Sequence, residues 1–122
     1  MHISGMDLTM YQGDTEPLRI IRKIREGETL TPLPFEEGDT VYFTVKRDTR
    51  LTSSEHVLQK VITEFEDGNA IIYLSPEDTA KMSGMYIYDI EVVYKNGEVS
   101  TLVPPPNKFP ARLYVKEGVK NG

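Results

Sequence analysis

Apolar residues in this chain recur mainly at every second position, the period of a half-buried strand, and only one short segment carries the punctuation of a helix. The pattern is strongest from Gly84 to Val103, where two runs rich in β-branched and aromatic residues flank Asn96-Gly97. Asn-Gly tolerates the positive φ angles of a two-residue type I′ turn. The pattern therefore predicts a hairpin with Tyr94 opposite Val99, Val92 opposite Thr101 and Ile90 opposite Val103. Tyr86 and Tyr88 extend the same face, and Asp89 and Glu91 point the other way. A lone hairpin cannot bury such a face, so this pair is one wall of a larger β structure.

Taken in order, Leu8 and Met10 alternate within residues 6–12, and Gly13-Asp14-Thr15 follows as a turn or bulge signal. Leu18, Ile20, Arg22 and Ile24 alternate with Arg19, Ile21, Lys23 and Arg25, which predicts one strand with an apolar and a cationic face. A helix is the rival assignment, disfavoured by the β-branched isoleucines and the Pro17 and Gly27 flanks. Glu26-Gly27-Glu28 ends that strand, and the two prolines of TLTPLPFEEGD predict a connection between sheets. Thr40 to Arg47 sets Val41, Phe43 and Val45 inward against Tyr42, Thr44 and Lys46.

Residues 48 to 55 are polar and read as an exposed loop tip. From His56 to Phe65 a strand returns, with Val57, Gln59, Val61, Thr63 and Phe65 on one face and Leu58, Lys60, Ile62 and Glu64 on the other. The pattern does not say which face is inward. After the turn Glu66-Asp67-Gly68-Asn69, Ala70, Ile72 and Leu74 alternate with Ile71 and Tyr73, predicting a second hairpin with the preceding run. Ser75-Pro76-Glu77-Asp78 starts a helix, with Ser as N-cap, Pro at the first helical position and carboxylates in the first turn. The helix is expected over Pro76 to Met82, capped by Gly84. PPPNKFP then reads as polyproline II or an edge crossing, ARLYVKE as a last strand with Leu113 and Val115 alternating, and GVKNG as a frayed end. Seven or eight strands with one helical turn point to an all-β, antiparallel two-sheet β-sandwich.

Length and charge narrow the classes. A chain of 122 residues fits one domain, 1–122, with an ordered core of about 7–117 and flexible ends. It has no cysteine, which excludes disulfides and thiolate metal sites. With 19 acidic and 14 basic residues the formal net charge is −5, which disfavours nucleic acid as a partner, and Arg19 to Arg25 is the one basic cluster. No apolar run reaches the roughly 20 residues that span a bilayer. The first ten residues lack the basic and apolar segments of a signal peptide, so no membrane partner and no export are expected.

Candidate chemistry is sparse. Only His2 and His56 are available as bases for nucleophilic catalysis, and each reads more simply as a surface histidine. The motifs GxSxG, HExxH, a phosphate-binding Gly-rich loop and an EF-hand loop are all missing. Two carboxylates alone can hydrolyse glycosides, but no spacing singles out a pair. Asp14, Asp39 and Asp89 are candidate calcium ligands, although Gly-Asp-Thr at 13–15 and 38–40 is more simply a turn feeding a strand. Tyr86, Tyr88 and Tyr94 either line a sugar-stacking groove or fill the core, and their shared face with Ile90 and Val92 favours the core. Arg19, Lys23 and Arg25 form a stripe suited to an acidic partner or to solvent. No catalytic residue, metal ligand or cofactor site is assigned.

The ordered series Gly13-Asp14-Thr15, Gly38-Asp39-Thr40-Val41-Tyr42-Phe43-Thr44-Val45, Leu74-Ser75-Pro76-Glu77-Asp78-Thr79 and Gly84-Met85-Tyr86-Ile87-Tyr88-Asp89-Ile90 resembles small β-sandwich domains of tailed bacteriophages and prophages. The likeness is to the N-terminal domain of upper baseplate proteins and related immunoglobulin-like tail or fibre modules, and it spans about Asp7 to Val115. The resemblance implies an immunoglobulin-like fold and a non-enzymatic virion structural protein, made in the bacterial host cytoplasm. Its expected partners are other tail or baseplate proteins and copies of itself. The long helical or receptor-binding region that commonly follows in such proteins has no counterpart in this sequence, which favours an adaptor or decoration. A carbohydrate-binding β-sandwich module is the alternative reading.

Overall fold

The computed structural model describes residues 2–4, 6–15, 17–47, 57–104 and 110–117. Among them the chain forms β1 (His2–Ser4), β2 (Asp7–Tyr11), β3 (Leu18–Ile20), β4 (Lys23–Glu26), β5 (Thr29–Pro32), β6 (Thr40–Lys46), β7 (Leu58–Ile62), β8 (Ala70–Ile72), α1 (Pro76–Ala80), β9 (Gly84–Val93), β10 (Val99–Val103) and β11 (Ala111–Lys116). It is mostly β, with one short helix among the described residues and strands in three sheets. The large sheet runs β1-β2-β11-β9-β6-β7, with β10 also on β9; β3 pairs with β8, and β4 with β5. The loop expected at 48–55, most of PPPNKFP and the end GVKNG lie outside the described residues.

β9 is the strand on which the large sheet is built. One edge pairs with β6 from Ile87 to Val93. The other pairs with β11 over Gly84 to Tyr88 and with β10 over Ile90 to Val93. Its alternate residues Tyr86, Tyr88, Ile90 and Val92 are buried, as the pattern predicts. They join Val41, Phe43 and Val45 of β6, Ala111, Leu113 and Val115 of β11, Leu8 and Met10 of β2, and Leu18, Ala70 and Ile72 of the β3–β8 pair in one continuous core. Burial of each Val, Leu, Ile, Phe or Met side chain among them favours folding by about 1.5–3 kcal/mol. The Tyr88 hydroxyl donates to the Met6 carbonyl, and burial beside Asp7 pushes its pKa up to about 12. The ring is held neutral inside.

The β9–β10 turn differs from the expected type I′ form. Gly97 alone has a positive φ, of 90°, and Tyr94 closes the loop by donating to Glu98 O at 2.8 Å and accepting from Gly97 N at 2.8 Å. These bonds define a three-residue loop ending in a left-handed glycine. Val99 therefore faces Val93 rather than Tyr94, and Thr101 faces Glu91 rather than Val92. A bulge between Thr101 and Val103 then restores Ile90 opposite Val103. Two one-residue errors cancel along the hairpin.

The single strand expected from Leu18 to Arg25 is broken at Ile21-Arg22. Arg22 leaves the ladder to donate to Leu33 O at 3.0 Å and Pro34 O at 2.8 Å, with its guanidinium over the rings of Phe35 and Tyr94. The chain resumes as β4, and Thr29–Pro32, expected as a connection, returns as its partner β5. Proline is tolerated there because, among the described residues, no third strand pairs with the outer edge of β5.

The hairpin expected between β7 and β8 shrinks to one bridge, Glu66 to Asn69. β7 pairs with β6 and β8 with β3, so the chain changes sheets between them. Phe35 N donates to Gly68 O at 2.9 Å, and a Cβ on Gly68 would lie 2.5 Å from Pro34 Cβ; only glycine fits that approach. Leu58, Lys60 and Ile62 form the half-buried face of β7, settling the orientation that the pattern leaves open. Helix α1 has the expected cap: Ser75 Oγ accepts from Asp78 N at 3.2 Å and Asp78 Oδ2 accepts from Ser75 N at 2.7 Å. The helix ends earlier than expected, at Ala80 with Lys81 as its C-cap, and Gly84 opens β9 instead.

Candidate functional site

The outward residues of the large sheet create a polar cleft. Tyr42, Thr44 and Lys46 of β6 stand beside Asp89, Glu91 and Val93 of β9 and Gln59 of β7, and together they line a recess of about 420 Å³. The register sets the order of groups. Thr44 lies between Gln59 and Asp89, and Tyr42 lies between Val61 and Glu91. Gln59 Nε2 donates to the buried Thr44 Oγ1 at 3.1 Å, which fixes the amide on the cleft floor.

Asp89 is half-buried. Burial pushes its carboxyl above the usual carboxylate range, against the opposing pull of Lys46. The cleft thus sets two carboxylates, a phenol ring and a short apolar wall at Val93 beside the Lys46 cation. A smaller recess of about 50 Å³ adjoins it, where Ile87, Tyr88, Pro104 and Pro110 meet Thr44, Lys46 and Asp89.

A second exposed feature is the β4–β5 arm. Every residue of β4 is exposed, and Ile21, Ile24, Leu30 and Leu33 show apolar surface to solvent on or beside the arm. Its register places Lys23 opposite Pro32 and Arg25 opposite Leu30, so cations and apolar groups share one face of the ribbon.

Other candidates from the sequence fall elsewhere. Tyr86 and Tyr88 are only 1% and 6% exposed, and Tyr94 is half-buried under Arg22, so the three form no open stacking platform. Asp14 accepts from Tyr11 N at 3.0 Å. The buried Asp39 accepts from Glu36 N at 2.9 Å and from Lys95 N at 3.1 Å, tying the turn before β6 to the β9–β10 loop. Both are turn carboxylates, and only Asp89 reaches the cleft. Among the described residues no group of three or more His, Cys, Asp or Glu side chains is placed to hold a metal. His2 lies on β1 at the sheet edge, and His56 is outside the described residues.

The Arg19, Lys23 and Arg25 stripe is divided between β3 and β4, with all three residues exposed. The alternation places Asp89 and Glu91 on the outward face but does not unite them with Gln59, because it leaves the orientation of β7 open. Among the described residues no helix is long and apolar enough to cross a membrane. No family model matches the chain, and no curated protein matches it.

Proposed function

We propose that this protein is a non-enzymatic structural component of a tailed-phage or prophage virion, in the baseplate, tail or fibre, that acts by assembling with copies of itself and with neighbouring tail proteins. The fold is read as an immunoglobulin-like two-sheet sandwich. Three features support that fold: the parallel β2–β11 pair, the order β2-β11-β9-β6-β7 with β3–β8 apart, and the Tyr86 hydroxyl accepting from Ser83 N at 2.9 Å. A tyrosine near the start of a strand, bonded back to the backbone just upstream, is a recurring corner of such sandwiches.

The observation that carries the assembly reading is the β4–β5 arm. It holds Ile24 and Leu30 out into solvent at 38% and 54% exposure, on a ribbon whose β4 strand is exposed throughout. Ile24 and Leu30 lie on opposite faces of the ribbon, so it shows apolar surface on both sides, which suits a segment that a partner covers. The ladder edges of β1 and β7 offer further places for strand addition. Mass spectrometry of purified particles from a host carrying this gene is expected to find the chain at a fixed copy number with tail or baseplate proteins. Its absence from the particles overturns the reading.

A further inference from the structure

We propose that the β4–β5 arm of one molecule docks in the Tyr42–Asp89–Glu91 cleft of a second copy of this chain. The inference rests on the reading of the protein as an assembling component and specifies its self-contact. The two surfaces complement each other in charge and form. The arm is a two-stranded ribbon with Lys23 and Arg25 beside Leu30 and Pro32 on one face, and among the described residues no further strand pairs with either edge. The cleft is shallow and crossed by three strands; it offers Asp89 and Glu91 for cations, the Tyr42 ring for a guanidinium, and Val93 for an aliphatic stem.

Lys46 lies at the Asp89 end of the cleft, so Glu91, opposite Tyr42 and with Thr101 of β10 alongside, is the carboxylate placed farther from it and the one that the arm's cations meet. Because arm and cleft are different patches, the contact is heterologous, and repetition closes a ring or extends a filament.

The test is sedimentation equilibrium of the whole chain with charge reversal on each side. The unaltered chain is expected to self-associate, and Lys23→Glu/Arg25→Glu on the arm or Asp89→Asn/Glu91→Lys in the cleft each weakens association by about tenfold or more. Mixing the two variants restores association in pairs, since the unaltered arm of the cleft variant then meets the unaltered cleft of the arm variant. Circular dichroism confirms that each variant is folded; Glu91→Lys alone replaces the paired cleft change if that pair fails to fold.

A monomer up to about 1 mM overturns the proposal. So does self-association untouched by either variant, association lost on one side only, or a mixture that stays dissociated. Association through another surface, in a chain that is found in particles, removes this contact and leaves the virion reading intact. A working charge swap in a chain that is absent from particles does the reverse.

Discussion

The hydroxyl of Tyr86 accepts from Ser83 N at 2.9 Å and from Arg47 Nη2 at 3.0 Å, with the Arg47 guanidinium 5.1 Å from the ring centre. One side chain thus fills the core and pins the segment between α1 and β9. Tyr86→Phe keeps the ring but strands a backbone donor, and it is expected to lower stability by about 1–2 kcal/mol. Tyr86→Ala adds a cavity and costs about 3–5 kcal/mol. Urea unfolding followed by tyrosine fluorescence measures both, and equal midpoints for Phe and the parent would refute the role of the hydroxyl.

Thr79 is wholly buried in α1, where its Oγ1 accepts from Gly13 N at 3.0 Å and joins the helix to the turn after β2. Thr79→Val preserves shape but leaves that amide without a partner, a loss of about 1–3 kcal/mol. Thr79→Ser retains the bond. Hydrogen exchange at the Gly13 amide should accelerate in the valine variant and stay slow in the serine one.

Asp78 fixes a pH dependence of one sign. Burial pushes its carboxyl up, but Lys60 Nζ, 2.7 Å away, and the Ser75 bonds outweigh it and hold it below the usual range. Its contribution is therefore complete above the unfolded value of about 3.9 and disappears as pH falls through the lower folded value. Asp78→Asn should be less stable than the parent at pH 7, with the gap narrowing in acid. Thermal melts across pH read the difference directly.

Asp89 has the opposite sign. Burial raises its pKa, so the folded state favours the neutral acid, and that preference is lost as pH rises through the folded value. Asp89→Asn should melt higher than the parent at pH 7 and equally below the unfolded value of about 3.9. A lower melting temperature at neutral pH would contradict this. The measurement belongs at dilute protein, where self-contact does not add to stability.

Much of the fold was legible because local chemistry and final environment agree. The alternation in β6 and β9 matches their buried faces, and Ser75 caps α1 at the position where the sequence expects an N-cap. What alternation does not encode is partner choice. The run around Val61 looks like one arm of a hairpin with β8, yet its ladder goes to β6, because the chain crosses to the other sheet within a few residues. Arg22 departs from the pattern for a related reason: its position continues an alternation, while its guanidinium finds carbonyls and rings outside the ladder. The cleft was half legible, since the outward sets of β6 and β9 are set by parity, but Gln59 joins them only once the direction of β7 is known.

Leu8 of β2 lies opposite Leu113 of β11 in a parallel ladder. That pairing joins strands nearly a whole chain length apart, so the central layer cannot finish assembling until residues 111–116 have left the ribosome. Until then, half of one β9 edge waits uncovered beside the nascent chain. Contacts of such long sequence separation make folding slow, and the last strand acts as its latch. Truncation before Ala111 would remove one partner from each of two neighbours and expose Tyr86, turning a finished layer into an adhesive one.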